Sequence, residues 1–240
     1  MLTEWHAKYG PVVRAGPNRI SFANPDAIPE IYGTSLIYPK SDSYCPMEVL
    51  AKGDALQSII TIRDEKRVTG IKRHVAGGFS QTEWLKQEDQ MDGTISALLT
   101  QLRKKPAGTV IPLREWLGFW SFDTLTSLAF SKSRGRWSIN PNMNARTVAT
   151  PGGATICNTF IPQGTDVMMS SHDIKNCTWM FGPDASVYNP ERWIRADEQK
   201  RRDMERSAMG FSWGRRVCMG QHLARIQMKK LLASLINTFK

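Results

Sequence analysis

The sequence predicts a mostly α protein with a small β portion, an α+β arrangement. Three observations lead there. Apolar residues recur at helical steps through Met91, Ile95, Leu98 and Leu102, again from Leu113 to Leu128, and once more in an amphipathic run ending at Lys240. Strand-like segments are short and punctuated by Gly and Pro, as in Val12-Val13-Arg14, Arg19–Phe22 and the stretch 149–172. Finally, 41% hydrophobic and 22% charged residues over 240 positions describe an ordinary globular chain with one good core or two small ones.

In chain order, Leu2 to Tyr9 reads as a short helix stopped by Gly10-Pro11. A hairpin follows around Gly16-Pro17-Asn18. Asn24 then caps a helix with Pro25 at its first position, and Gly33 closes it. Ile62-Arg63-Asp64 opens a basic helix through Lys66, Arg67, Lys72, Arg73 and His74, for which a solvated face is the plainest reading. Ser80-Gln-Thr-Glu83 spells a capping box before the Met91–Leu102 stripe, and Pro106 and Gly108 end that helix. Leu113, Trp116, Leu117, Trp120, Leu125 and Leu128 mark a further buried helix. Residues 136–145 form a polar joint, after which 149–172 reads as paired strands near Pro151-Gly-Gly153 and Pro162-Gln-Gly164. Glu198 to Arg201 reads as a solvated charged loop, and the last helix presents Leu223, Ile226, Leu231, Leu232, Leu235 and Phe239 as its apolar face.

The chain carries 32 Lys+Arg against 22 Asp+Glu, a net charge of +10. Nucleic acid, an anionic membrane surface and an acidic protein compete to explain that charge. The basic residues are scattered instead of striped and no nucleic-acid motif accompanies them, which argues against nucleic acid and leaves peripheral membrane contact open. Cys45, Cys157, Cys177 and Cys218 form no CxxC pair, which favours a reducing, intracellular compartment. Cys157, Cys177, Cys218 and His222 supply four zinc ligands on paper, but their gaps are long and irregular. No apolar run approaches the roughly 18 residues of a spanning helix, so no membrane anchor is expected in this chain.

The densest chemical signal is Phe211-Ser-Trp-Gly214-Arg-Arg216-Val-Cys218-Met-Gly220, directly ahead of the final helix. Amide N–H groups at that helix start favour a thiolate on Cys218, which suits an iron ligand. Gly214 and Gly220 allow φ > 0 and close approach to a flat cofactor, and Arg216 offers a cation to an acidic cofactor edge. A buried structural cysteine at a loop–helix junction is the plainer alternative.

At every specified position this stretch matches F-x-x-G-x-R-x-C-x-G, and the chain therefore resembles the cytochrome P-450 family in a shortened form. The string KYGPVVRAGPNRISFANPDAIPEIYG resembles the entry to the N-terminal sheet of fungal members, and Pro190-Glu191-Arg192-Trp193 resembles the segment whose Arg bridges to an E-x-x-R pair. The resemblance divides the chain into 1–135 (sheet entry and early helices), the joint 136–145, where the family's central helices are missing, and 146–240 (hairpin, PERW segment, haem loop and final helix). It implies a haem with an axial thiolate from Cys218. Phe211, Gly214, Arg216 and Gly220 would lie around that haem, with Lys72 and Arg146 at its propionates. It further implies oxidation of a small organic, secondary-metabolite-type substrate with O2, electrons from an acidic flavoprotein reductase, and a place on the cytosolic face of the endoplasmic reticulum. The acid–Thr pair that activates oxygen in the family has no counterpart here, so no catalytic residue is assigned. Glu198-Gln-Lys-Arg201 spells E-x-x-R on the wrong side of Arg192, which leaves Arg192 a cation whose family partner is not encoded. A non-catalytic remnant and a basic binding module without haem stand beside the monooxygenase reading.

Overall fold

A computed structural model describes residues 2–34, 38–51, 54–130 and 145–239. The chain divides into two compact units, Met1–Ile71 with Pro141–Cys218, and Lys72–Asn140 with Met219–Lys240. Nearly all of the joint expected at 136–145 lies outside the described residues; Ala145 is buried at its end.

The first unit opens with α1 (Leu2–Tyr9), β1 (Val12–Gly16), β2 (Arg19–Phe22) and α2 (Ala27–Tyr32). The helix after the hairpin starts later than the Asn24-Pro25 signal suggests. The Asn24 side chain accepts the Asp26 N–H at 3.0 Å, so it closes a turn ahead of the helix instead of capping it. A short hairpin, β3 (Val49–Ala51) and β4 (Asp54–Leu56), precedes α3 (Glu65–Val75), which begins in the first unit and continues into the second. Asp64 caps α3, accepting from the Lys66 and Arg67 N–H groups at 2.8 and 3.2 Å.

The second unit contains α4 (Gln81–Leu85), α5 (Glu88–Arg103), α6 (Leu113–Phe130) and, from the far end of the chain, α11 (Gln221–Thr238). Between them in sequence, back in the first unit, lie β5 (Arg146–Thr147), β6 (Ala154–Ile156), β7 (Thr159–Ile161), β8 (Asp166–Met169), α7 (Ser171–Lys175), α8 (Thr178–Phe181), α9 (Glu191–Arg195) and α10 (Glu198–Ser207).

A mostly α chain with a small sheet portion is therefore what forms. The main sheet has the order β1-β2-β8-β5, with β2 and β8 parallel from Arg19↔Asp166 to Phe22↔Met169. The stretch 149–172 thus splits in two. Ala154–Ile156 pairs with Thr159–Ile161 across Cys157 and Asn158, both left-handed at φ 44° and 60°, and Asp166–Met169 leaves to join the first hairpin. Two adjacent left-handed residues give the twist a two-residue hairpin needs, so the turn sits there and not at the Pro-Gly clusters. Phe22, Val167 and Met169 from the sheet pack with Ile31 and Tyr32 of α2 and with Ile156 and Ile161 to form the core of this unit.

Arg192 on α9 is not left without partners. Its guanidinium donates to the carbonyls of Phe181, Asp184, Val187 and Asn189 and pairs with the Asp184 carboxylate at 3.2 Å, its side chain only 11% exposed. The Asn189 amide first, and then Arg192, hold the Asp184 carboxyl below its ordinary range. The local loop replaces the carboxylate that the family resemblance places elsewhere. Glu198–Ser207 is helical, not a loop, because Asp197 caps it through the Lys200 N–H at 2.7 Å.

In the second unit the Met91–Leu102 stripe is buried as its spacing predicts, and its Ile95, Leu98 and Leu102 pack with Trp120 and with Leu231 of α11. The capping box is half made. Ser80 Oγ accepts the Glu83 N–H at 3.3 Å, but the Glu83 carboxylate turns to Lys86 instead of reaching back. Two expectations of burial fail. On α6, Leu113 and Leu125 are 45% and 50% exposed. On α11, Leu231 is buried while Leu232 is 59% exposed, since neighbours in a helix point about 100° apart and cannot share one face.

Lys230 ties α11 to α5 through Glu88 at 2.6 Å and Asp92 at 2.7 Å. Burial pulls the Lys230 pKa down, but the two carboxylates outweigh it and hold the ammonium above its ordinary 10.5. A cation with a raised folded pKa contributes stability fully below its unfolded pKa and loses it as pH climbs through the folded value. Because both acids are half exposed, Lys230→Met should cost about 0.5–1 kcal/mol at neutral pH. Urea unfolding of the two proteins should converge once the pH exceeds the Lys230 value.

Candidate functional site

The glycine-punctuated loop is built on the core of the first unit. Trp213 packs against the cluster that contains Tyr32 and Ile31, and a 3-10 turn over Gly214–Arg216 follows. Gly214 takes φ +62° because the chain must pass the end of α2; a Cβ there would lie 1.9 Å from the Tyr32 carbonyl oxygen. Its left-handed backbone therefore serves contact with α2. Gly220, by contrast, sits at φ −78° as the residue before α11, so the left-handed freedom expected of it is not used. Ser212 carries the positive φ instead, at 63°. The Cys218 N–H donates to the Phe211 carbonyl at 2.8 Å, closing the loop and leaving the thiol exposed three residues before α11.

Arg216 is the best-held side chain in the loop. Nε and a terminal nitrogen pair with Glu65 at 2.8 Å, while the other donors reach the Ile59 and Ile62 carbonyls at 3.0 and 2.8 Å. The two charged side chains are 6% and 12% exposed. Breaking a buried pair by removing one partner costs about 3–5 kcal/mol, so Glu65→Ala should lower unfolding stability by about 3 kcal/mol. Glu65→Leu combined with Arg216→Met should lose less, as no lone charge is left behind; denaturant titration of the three proteins checks it.

Arg146, on β5, lines the same small cavity with Arg216, Tyr32, Tyr38 and Trp213. It is buried, donates to Tyr44 Oη at 3.3 Å and to its neighbour's carbonyl at 3.0 Å, and lies 5.1 Å from the Tyr32 ring centroid. Burial pushes the Tyr32 phenol well above its usual range, with the Arg146 charge pulling the other way. Lys72 and Gly220 belong to the second unit; Lys72 sits half-buried on α3, and Val68 one turn before it is fully buried.

Among the described residues no cluster of three or more His, Cys, Asp or Glu could hold a metal, so Cys157, Cys177, Cys218 and His222 form no zinc site there. Burial, aided by Glu30 and Asp26, raises the Cys157 thiol to about 11, which keeps it protonated at neutral pH. No helix among the described residues is long and apolar enough to cross a membrane.

Against a haem, the donor set fits at the sulfur and resists at the arginine. An exposed thiol ahead of a long helix suits an iron ligand. Arg216, however, is already committed to Glu65 and two carbonyls, and the cavity it shares with Arg146 holds about 20 Å3, one water's worth. Glu65 is the participant that sequence reasoning missed. Nothing local marks it, because its partner lies 151 positions away.

The cytochrome P450 family model matches residues 139–240. A cytochrome P-450 monooxygenase, pkfB, of Emericella nidulans is 31% identical over 191 residues, covering 79% of this chain and 32% of that protein. One from Aspergillus terreus is 20% identical over 412 positions, covering 99% of this chain and 84% of that protein. A third, asR2 of Sarocladium schorii, is 38% identical over 133 residues, 54% of this chain and 26% of that protein. Residues 139–240 thus match the cytochrome P450 family model, and the chain is similar to fungal cytochrome P450 monooxygenases. It spans about a third of the pkfB protein, and in the longest of these alignments 412 − 240 = 172 or more positions have no counterpart in it.

Proposed function

We propose that the chain is a haem-thiolate polypeptide of the monooxygenase type, with Cys218 as the iron ligand and a small organic, secondary-metabolite-type compound as substrate. The observation that supports this most is the Phe211–Gly220 loop, which carries all the family's specified residues and leaves its thiol exposed ahead of α11. Haem bound through a thiolate supplies the reductive activation of O2 and the insertion of one oxygen atom into the substrate. The protein's part is to hold that group. Cys218 gives the thiolate, and the N–H groups at the start of α11 stabilise its charge. By the family resemblance Arg146 and Lys72 would offer cations to the haem's acidic edge, and Phe211, Gly214 and Gly220 belong to the sequence motif that would hold it. Arg216 joins them only in exchange for Glu65, carboxylate for carboxylate.

An acidic flavoprotein reductase is the electron donor this reading requires. Arg225 and Lys229 on α11 suit it; Lys230 does not, being tied to Glu88 and Asp92. Peripheral membrane contact and a place on the cytosolic face of the endoplasmic reticulum go with the same reading. A non-catalytic remnant is favoured by one observation, the 172 or more aligned positions that the chain lacks. Titration of the purified chain with haem, then turnover with a reductase, separates the readings. We expect one haem per chain and turnover well below about 1 s⁻¹. No uptake would leave a basic binding module, while uptake with ordinary turnover would show that the shortened chain is a competent enzyme.

A further inference from the structure

We propose that the helical unit docks a second copy of this chain, the exposed ridge of α11 of one molecule entering the groove between α5 and α6 of the next. The groove has a volume of about 530 Å3 and is walled by Leu98, Trp116, Phe119 and Trp120. Thr94 and Thr124, hydrogen-bonded at 2.8 Å, hold α5 and α6 together at one end of it. The Trp120 indole N–H, buried in that wall, has no acceptor among the described residues. About a quarter-turn around α11 from buried Leu231, Met228, Leu232 and Ile236 are 54%, 59% and 62% exposed at i, i+4 and i+8. That is one ridge of the kind that packs into a groove between helices. It is about 12 Å long, and the groove from Trp116 to Ser127 runs about 16 Å, at 1.5 Å per residue.

Charge selects the occupant. Asp123 is the charged side chain among the described residues lining the groove. Residues 221–238 contain Arg225, Lys229 and Lys230 and no acid, and Arg225 and Lys229 flank the ridge. Ridge against ridge would bring like charges together, and groove against groove would mate two hollows. Ridge into groove buries apolar surface and sets a cation against Asp123. Such a contact is head-to-tail, so it closes into a ring or propagates.

Light scattering after gel filtration tests this on the whole chain. Wild type should gain mass with concentration, about twofold or more. Leu232→Glu removes the ridge and Phe119→Glu blocks the groove; both sites are exposed, and circular dichroism checks each fold. Each variant alone should stay monomeric. Mixed, they should form a 1:1 heterodimer and nothing larger, through the intact ridge of one and the intact groove of the other. Should either glutamate variant misfold, Lys229→Glu and Asp123→Lys serve in its place, each weakening association about tenfold and together restoring it. A wild type that stays monomeric, a single variant that associates as wild type does, a mixture without heterodimer, or charge swaps without rescue would each overturn the proposal. Haem uptake and turnover are read separately, so failure here leaves the haem-thiolate reading standing.

Discussion

Cys218→Ala is expected to abolish thiolate ligation in any haem complex of this protein. In the reduced, carbon monoxide-treated state, wild type should give the absorption of a thiolate-bound haem and the variant should not. The expectation is all-or-none because the other three cysteines are unsuited. Cys157 is held protonated by burial near Glu30 and Asp26. Cys45 and Cys177 lie outside the loop, on segments that carry none of its glycines or arginines. Cys218 is also cheap to change: its side chain is exposed and its backbone N–H bond to Phe211 survives in alanine. Stability should therefore move by less than about 0.5 kcal/mol, as for other surface substitutions. A variant that keeps the wild-type spectrum would remove Cys218 from the site.

Gly214→Ala should produce the largest stability loss in the loop. The residue sits at φ +62°, which costs a non-glycine about 1–2 kcal/mol. The added Cβ would also meet the Tyr32 carbonyl oxygen at 1.9 Å, a backbone atom at the end of α2 that cannot rotate away. Relief requires the loop to lift from the core, loosening Trp213 and the Arg216–Glu65 pair together. We expect a loss of about 4 kcal/mol or more, in the range that marks a specific steric fault. Gly210→Ala, four residues earlier, meets nothing within 4 Å and is the control; it should change little. Urea midpoints of both variants read the difference, and equal midpoints would mean that the close approach to Tyr32 is not formed.

The amino-acid sequence by itself determined the local elements and the chemistry of the loop. Gly-Pro punctuation set the first hairpin, period-3.6 spacing buried Met91 through Leu102, and five residues at fixed spacing singled out Cys218. These are short-range effects, fixed by the conformational preferences and periodicity of neighbouring residues. Tertiary structure decided whatever depends on partners far along the chain. It placed β8 beside β2, turned Arg216 toward Glu65 and supplied Arg192 with carbonyls and Asp184. It also chose Leu231 over Leu232 for burial, although the two are chemically identical. Hydrogen bonds and ion pairs are satisfied by whichever group the packed fold brings near, and a cation's partner need not be the one its motif suggests. The glycine at 214 shows both levels at once: its place in the motif is readable from sequence, and its physical reason is a carbonyl 182 residues earlier.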